Sequence, residues 1–128
     1  MFRFFILVIP FILAACNTQE DELKKIAISS IKEQLRDPES AKFSGVFLPK
    51  GDKGNVSVCG NVNAKNSFGG YAGTVRFLVY IYNNQENGKS IVHLSKLEAS
   101  TPTISSDITS QTVFDSAWKV FCTSEKAT

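Results

Sequence analysis

Histidine is almost missing from this chain, which carries His93 and no other, and cysteine occurs only as Cys16, Cys59 and Cys122. Neither a CxxC pair nor an HExxH pair can be written from that set, so no metal site is expected. His93 lies inside IVHL, facing opposite to Val92, and no GxSxG elbow accompanies it, so it reads as a half-exposed strand residue. The carboxylates are scattered through caps and turns, with no pair suited to a glycosidase. No catalytic residue and no cofactor is therefore expected. Charge of one sign is also lacking: 14 basic against 12 acidic residues leave a net +2. Nucleic-acid binding needs a concentrated basic face, and none is visible. The longest apolar run, Phe4 to Ala15, has twelve residues and contains Pro10. A spanning helix needs roughly 20.

What stands at the N-terminus is an export layout, with Arg3 ahead of that apolar run and Cys16 at its end. Leu13-Ala14-Ala15-Cys16 resembles the lipobox of bacterial lipoproteins, a branched apolar residue and two small ones before a cysteine. The resemblance implies that residues 1–15 are a signal peptide and that Cys16 receives a diacylglycerol and is acylated on its new amine. The expected membrane partner is then lipid bound through the N-terminus, and several acyl chains at about 0.8 kcal/mol per buried CH₂ make a firm anchor. Asn17, where an Asp would retain the lipoprotein in the inner membrane, favours the outer membrane facing the periplasm in a Gram-negative host.

Without its first 15 residues the 128-residue chain leaves 113, enough for one small domain. Loss of Arg3 takes the basic count to 13 against 12 acidic, a net charge of +1. With Cys16 assigned to lipid, Cys59 and Cys122 remain in a compartment that permits disulfides. A bridge between them would contribute roughly 4 kcal/mol by chain entropy. Two separate buried thiols are the alternative.

Residues 16–20 read as a lipidated tether and 21–128 as a single domain. Leu23, Ile26, Ala27, Ile31 and Leu35 recur at helical spacing, with Glu20, Asp21 and Glu22 at the N-terminus, where the helix dipole favours acid. Arg36-Asp37-Pro38 ends this helix. DPESAKF then restarts a single turn in which Asp37 caps Ser40, Pro38 takes the first helical position and Phe43 is aimed at the core. From Ser44 the period becomes two. Val46 and Leu48 start one strand; Val56, Val58 and Val62 alternate in a second, with Ser57, Cys59, Asn61 and Asn63 on its other face. TVRFLVYIY at 74–82 is apolar on both faces, hence central, and Asn87-Gly88 turns the chain into SIVHLSKLEA. Thr109 to Cys122 carries helical spacing, although Thr109, Thr112 and Val113 leave a strand over Ala117 to Cys122 open. The expected fold class is α+β: an N-terminal amphipathic helix packed on an antiparallel sheet of three to five strands, with a C-terminal helix.

One stretch concentrates unusual residues, CGNVNAKNSFGGYAG at 59–73. It leads into a strand and not a helix, which argues against a phosphate cradle. Asn61, Asn63, Lys65, Asn66 and Tyr71, with Arg76 on the outgoing strand, supply amides, an aromatic ring and two cations. These are the candidate binding residues, fit for a glycan or an envelope protein. The competing reading is a hairpin connection in which Gly69, Gly70 and Gly73 take positive φ or allow close approach while the asparagines bond loop backbone.

DPESAKF at 37–43, VCGNVNAKNSFGGYAG at 58–73 and Arg76-Phe77 together are similar to a motif set in small uncharacterised proteobacterial and prophage-associated proteins, several of them lipoproteins. The group's usual pattern has an acidic residue where Asn61 stands here. The resemblance spans Asp37 to Phe77 and implies a shared compact module. The expected function is a lipid-anchored, periplasm-facing binding module without catalysis. Two rivals are a prophage- or plasmid-derived exclusion or immunity lipoprotein that blocks an envelope protein, and an envelope enzyme acting on glycan or peptide.

Overall fold

A computed structural model describes residues 17–49, 54–84, 86–99 and 107–123. Residues 1–15, expected as a signal peptide, and Cys16, expected as the lipidation site, lie outside the described residues, as do most of the loop after Pro49 and the connector at 100–106. The described chain runs from helix α1 (Asn17–Lys32) through a 3₁₀ turn (Pro38–Ser40) to strands β1 (Lys42–Phe47), β2 (Asn55–Asn63), β3 (Val75–Asn84) and β4 (Lys89–Leu97), then helix α2 (Asp107–Cys122). The strands form one antiparallel sheet in the order β1-β2-β3-β4. The class is α+β, a four-stranded sheet with two helices. Among the described residues no helix is long and apolar enough to cross a membrane.

The two-residue period of the strands divides the sheet into two unlike faces. On one, Val58, Val62, Phe77, Val79 and Ile81 are buried in a single cluster with Leu23, Ala27 and Ile31 of α1. Each such side chain, fully buried, contributes about 1.5–3 kcal/mol. Gly60 makes this face possible, because a Cβ there would lie 2.9 Å from the Phe77 ring and 3.1 Å from the Val46 backbone. On the other face Cys59 and Leu78 meet Cys122, flanked by Phe47, Leu94, Ala117, Trp118 and Phe121. Cys59 and Cys122 are joined by a disulfide with Cα atoms 6.0 Å apart, which staples the end of α2 to the middle of β2.

Two details differ from expectation. Asn17–Glu20, expected as tether, is already helical; acidic Glu20 sits in the first turn and pairs with Lys24 at 2.9 Å, which favours helix there. Helix α1 stops at Lys32, before Leu35, because the next bonds tighten to Gln34 N–H on Ile31 O and Leu35 N–H on Lys32 O. Leu35 still packs against the core. The helical alternative for 109–122 holds, and α2 lies across the sheet from α1.

Candidate binding site

The 3₁₀ turn forms as its sequence dictates. Pro38 opens it, the Asp37 carboxylate accepts the Ser40 N–H at 3.3 Å, and Phe43 follows with its ring edge-on to Phe77 at 5.6 Å. What was not visible from local pattern is where this turn goes. The Ser40 hydroxyl accepts the Lys65 N–H at 2.8 Å, and the Ser40 carbonyl accepts the Tyr71 hydroxyl at 3.2 Å. The segments DPESAKF and CGNVNAKNSFGGYAG, distant in sequence, interlock through one serine.

The 64–73 loop is built from the asparagines outward. Lys65 and Tyr71 bridge as antiparallel partners, Asn66 N–H donates to Gly70 O at 2.8 Å, and Ala72 N–H donates to Ala64 O at 3.1 Å. The Asn66 side-chain carbonyl accepts the N–H groups of Phe68 and Gly70, and that of Asn63 accepts the Gly73 N–H. Gly69 and Gly73 sit at φ +83° and +104°, where a side chain would strain the turn; Gly70 does not take positive φ. Braced in this way, the tip carries Phe68 at 97% exposure. An aromatic side chain so fully solvated on an ordered turn contributes nothing to the core.

Tyr71 is exposed, with two cations against its ring. The Lys42 ammonium lies 4.6 Å and the Lys65 ammonium 5.8 Å from its ring centroid. No ion pair among the described residues engages Arg36, Lys42 or Lys65. Cations over an aromatic face are attracted by the ring's negative quadrupole. Beneath the loop lies a half-open cleft of about 210 Å³ between Leu35 and Arg36 on one side and Lys65, Asn66 and Ala72 on the other, floored in part by Val62, Val75 and Leu97.

Arg76 does not join this surface. It projects from β3 to the α2 face, where Nε and Nη2 donate to Glu98 at 3.1 and 2.5 Å and Nη2 also donates to Asp115 at 2.6 Å. Phe114 and Trp118 of α2 cover it, their rings 5.2 and 5.1 Å from the guanidinium carbon. Gln111 completes the node with a 2.9 Å bond to Glu98. Hydrogen bonding from Arg76 holds the Glu98 carboxyl down to about 2, against the desolvation that would raise it. The same bonds push the Arg76 value up. This is a brace between sheet and helix, not a docking cation. Asn61 is its cross-strand neighbour on β2 and sits opposite Ser44 of β1.

Comparison with protein-family models, curated proteins and solved structures finds no match to this chain. The site therefore stands on its geometry. Of the six residues read from sequence, Asn63, Lys65, Asn66 and Tyr71 are brought together, the asparagines as loop braces and Lys65 with Tyr71 as surface. Ser40, Lys42 and Phe68 were not singled out, although the first two lie in a segment whose turn chemistry was plain. His93 is an exposed β4 residue, its ring edge-on to Tyr82 at 6.0 Å.

Proposed function

We propose that this protein is a lipid-anchored, periplasm-facing interaction module that acts by presenting the 64–73 loop and the 38–43 turn as one preformed contact surface. The observation that carries the reading is the fully exposed Phe68 on a tip braced by Asn66 and locked to Ser40, with Lys42 and Lys65 at the neighbouring Tyr71 ring and in no ion pair with a described residue. Exposed aromatics and cations whose backbone is already ordered lose little entropy on binding, the property of contact residues. The orientation supports the reading. The start of α1 shares a groove with Asn83, Gly88 and Ser90 at one end of the sheet, whereas β2 delivers Asn63 and the loop to the other. Sixteen helical residues in α1 correspond to about 24 Å. With α1 packed on the sheet as a fixed spacer, an anchor at Cys16 holds one end at the membrane and the loop faces away from it.

The test is site-specific photo-crosslinking from position 68 in intact envelopes. One discrete adduct is expected, lost on Tyr71→Ala and Lys65→Glu while the fold is retained. A folded protein that crosslinks to nothing in envelopes rich in its expressed form contradicts the reading. Cys16→Ser is expected to leave an uncut or released product, and normal acylation of that variant contradicts the anchor.

A further inference from the structure

The cleft beneath the loop shares Lys65 and Asn66 with the contact surface but does not include Phe68 or Tyr71, and its chemistry is more specific. Its floor is aliphatic, from Leu35, Val62, Val75 and Leu97, and at about 210 Å³ it exceeds the roughly 150 Å³ that accommodates a benzene ring. Its rim carries Arg36 and Lys65, neither in an ion pair with a described residue. One carboxylate, Glu98, also borders it, but both its oxygens are held, by the Arg76 N–H groups and by Gln111. The charge left over at the mouth is therefore positive. Asn66 adds a side-chain NH₂ at the rim, since only its carbonyl is used by the loop.

We propose that this cleft binds a carboxylate attached to a single apolar group, the apolar part resting on Leu35, Val62, Val75 and Leu97 and the carboxylate meeting Arg36 and Lys65. Two sources share that chemistry, the C-terminal residue of a peptide and a medium-chain acyl carboxylate. The inference rests on the reading of this protein as a binding module and names what one part of its surface recognises. Apolar burial supplies contact area and the two cations supply selectivity, as in ligand sites generally. Because Arg36 and Lys65 approach from different segments, α1's exit and the loop, the cleft exists only where the loop is locked to the turn.

Amide chemical-shift titration of the folded domain tests this with N-acetyl-leucine as probe, N-acetyl-leucinamide as its uncharged control and octanoate as the acyl alternative. Millimolar N-acetyl-leucine is expected to shift the amides of Val62, Ala64, Val75 and Leu97. The amide control, and the variants Arg36→Glu and Lys65→Glu, are expected to bind about two- to fivefold more weakly, the range a surface ion pair supplies. Ala72→Phe, which fills the cleft from its rim, is expected to abolish the shifts, while Phe68→Ala leaves them unchanged and so separates the cleft from the tip contact. Stronger shifts with octanoate or with N-acetyl-leucine tell the two sources apart. Equal binding of acid and amide, shifts confined to residues 66–70, or no shifts with either carboxylate overturn the proposal, whatever the crosslinking at position 68 gives.

Discussion

The two faces of the sheet are held by different physics. Toward α1, packing is continuous and aliphatic, with Ala27, Ile31, Val58, Phe77, Val79 and Ile81 fully buried. Toward α2, a smaller apolar cluster around Leu78, Trp118 and Phe121 is supplemented by discrete bonds: the Cys59–Cys122 disulfide and the Arg76 node with Glu98, Gln111 and Asp115. Distributed packing degrades only when volume is removed, whereas discrete bonds respond to redox state and pH. The α2 face is thus the chemically addressable one, and the α1 face fixes the geometry of the loop.

Breaking the first face has the largest expected effect. Phe77→Ala removes a ring that touches both Gly60 and Phe43 and is expected to cost about 3–5 kcal/mol in urea denaturation. Opening the second face follows. Cys59→Ser with Cys122→Ser, or reduction, is expected to cost about 2–5 kcal/mol. Amide exchange should rise first in α2 while the α1 amides stay protected; equal loosening of both helices contradicts the division between faces.

The Arg76 node gives a smaller, pH-dependent effect. Glu98 is held down to about 2 from an ordinary 4.5. Since its folded value is the lower one, its contribution is fully present above about pH 4.5 and is lost as pH falls through about 2. Glu98→Gln is expected to cost about 1–3 kcal/mol at neutral pH. That difference from the wild type should shrink between pH 4.5 and 2 in urea melts. A constant difference across the window contradicts the role given to the charge.

What could be read in the sequence was local. The Asp37 cap, Pro38, the strand alternation and the helical spacing of Val113 or Phe114, Ala117, Trp118 and Phe121 depend on near neighbours, and each appears in the structure, with Phe114 and not Val113 on the buried side. The Cys59–Cys122 pair was legible for another reason, since assigning Cys16 to lipid left only one pairing. Arg76 was misjudged because its partners come from other elements, Glu98 at the end of β4 and Asp115 on α2. A signal existed: Gln111, Phe114, Asp115 and Trp118 fall on one helical face, and Arg76 shares strand parity with Leu78. The anchoring of the loop on Ser40 was hidden in the same way, because a serine in a turn is ambiguous until its long-range partner is known. The cleft needed three segments at once, and no periodicity reports that.

Hydrogen exchange at the Lys65 and Ala72 amides, compared between wild type and Ser40→Ala, tests most directly whether the 38–43 turn and the 64–73 loop form one preformed surface. Both amides donate bonds, Lys65 to the Ser40 hydroxyl and Ala72 to the Ala64 carbonyl. Both amides are expected to be protected in the wild type, with loss at Lys65 and acceleration at Ala72 in the variant. Unprotected exchange of both amides in the folded wild type, or no change on removing the hydroxyl, would contradict a single preformed surface.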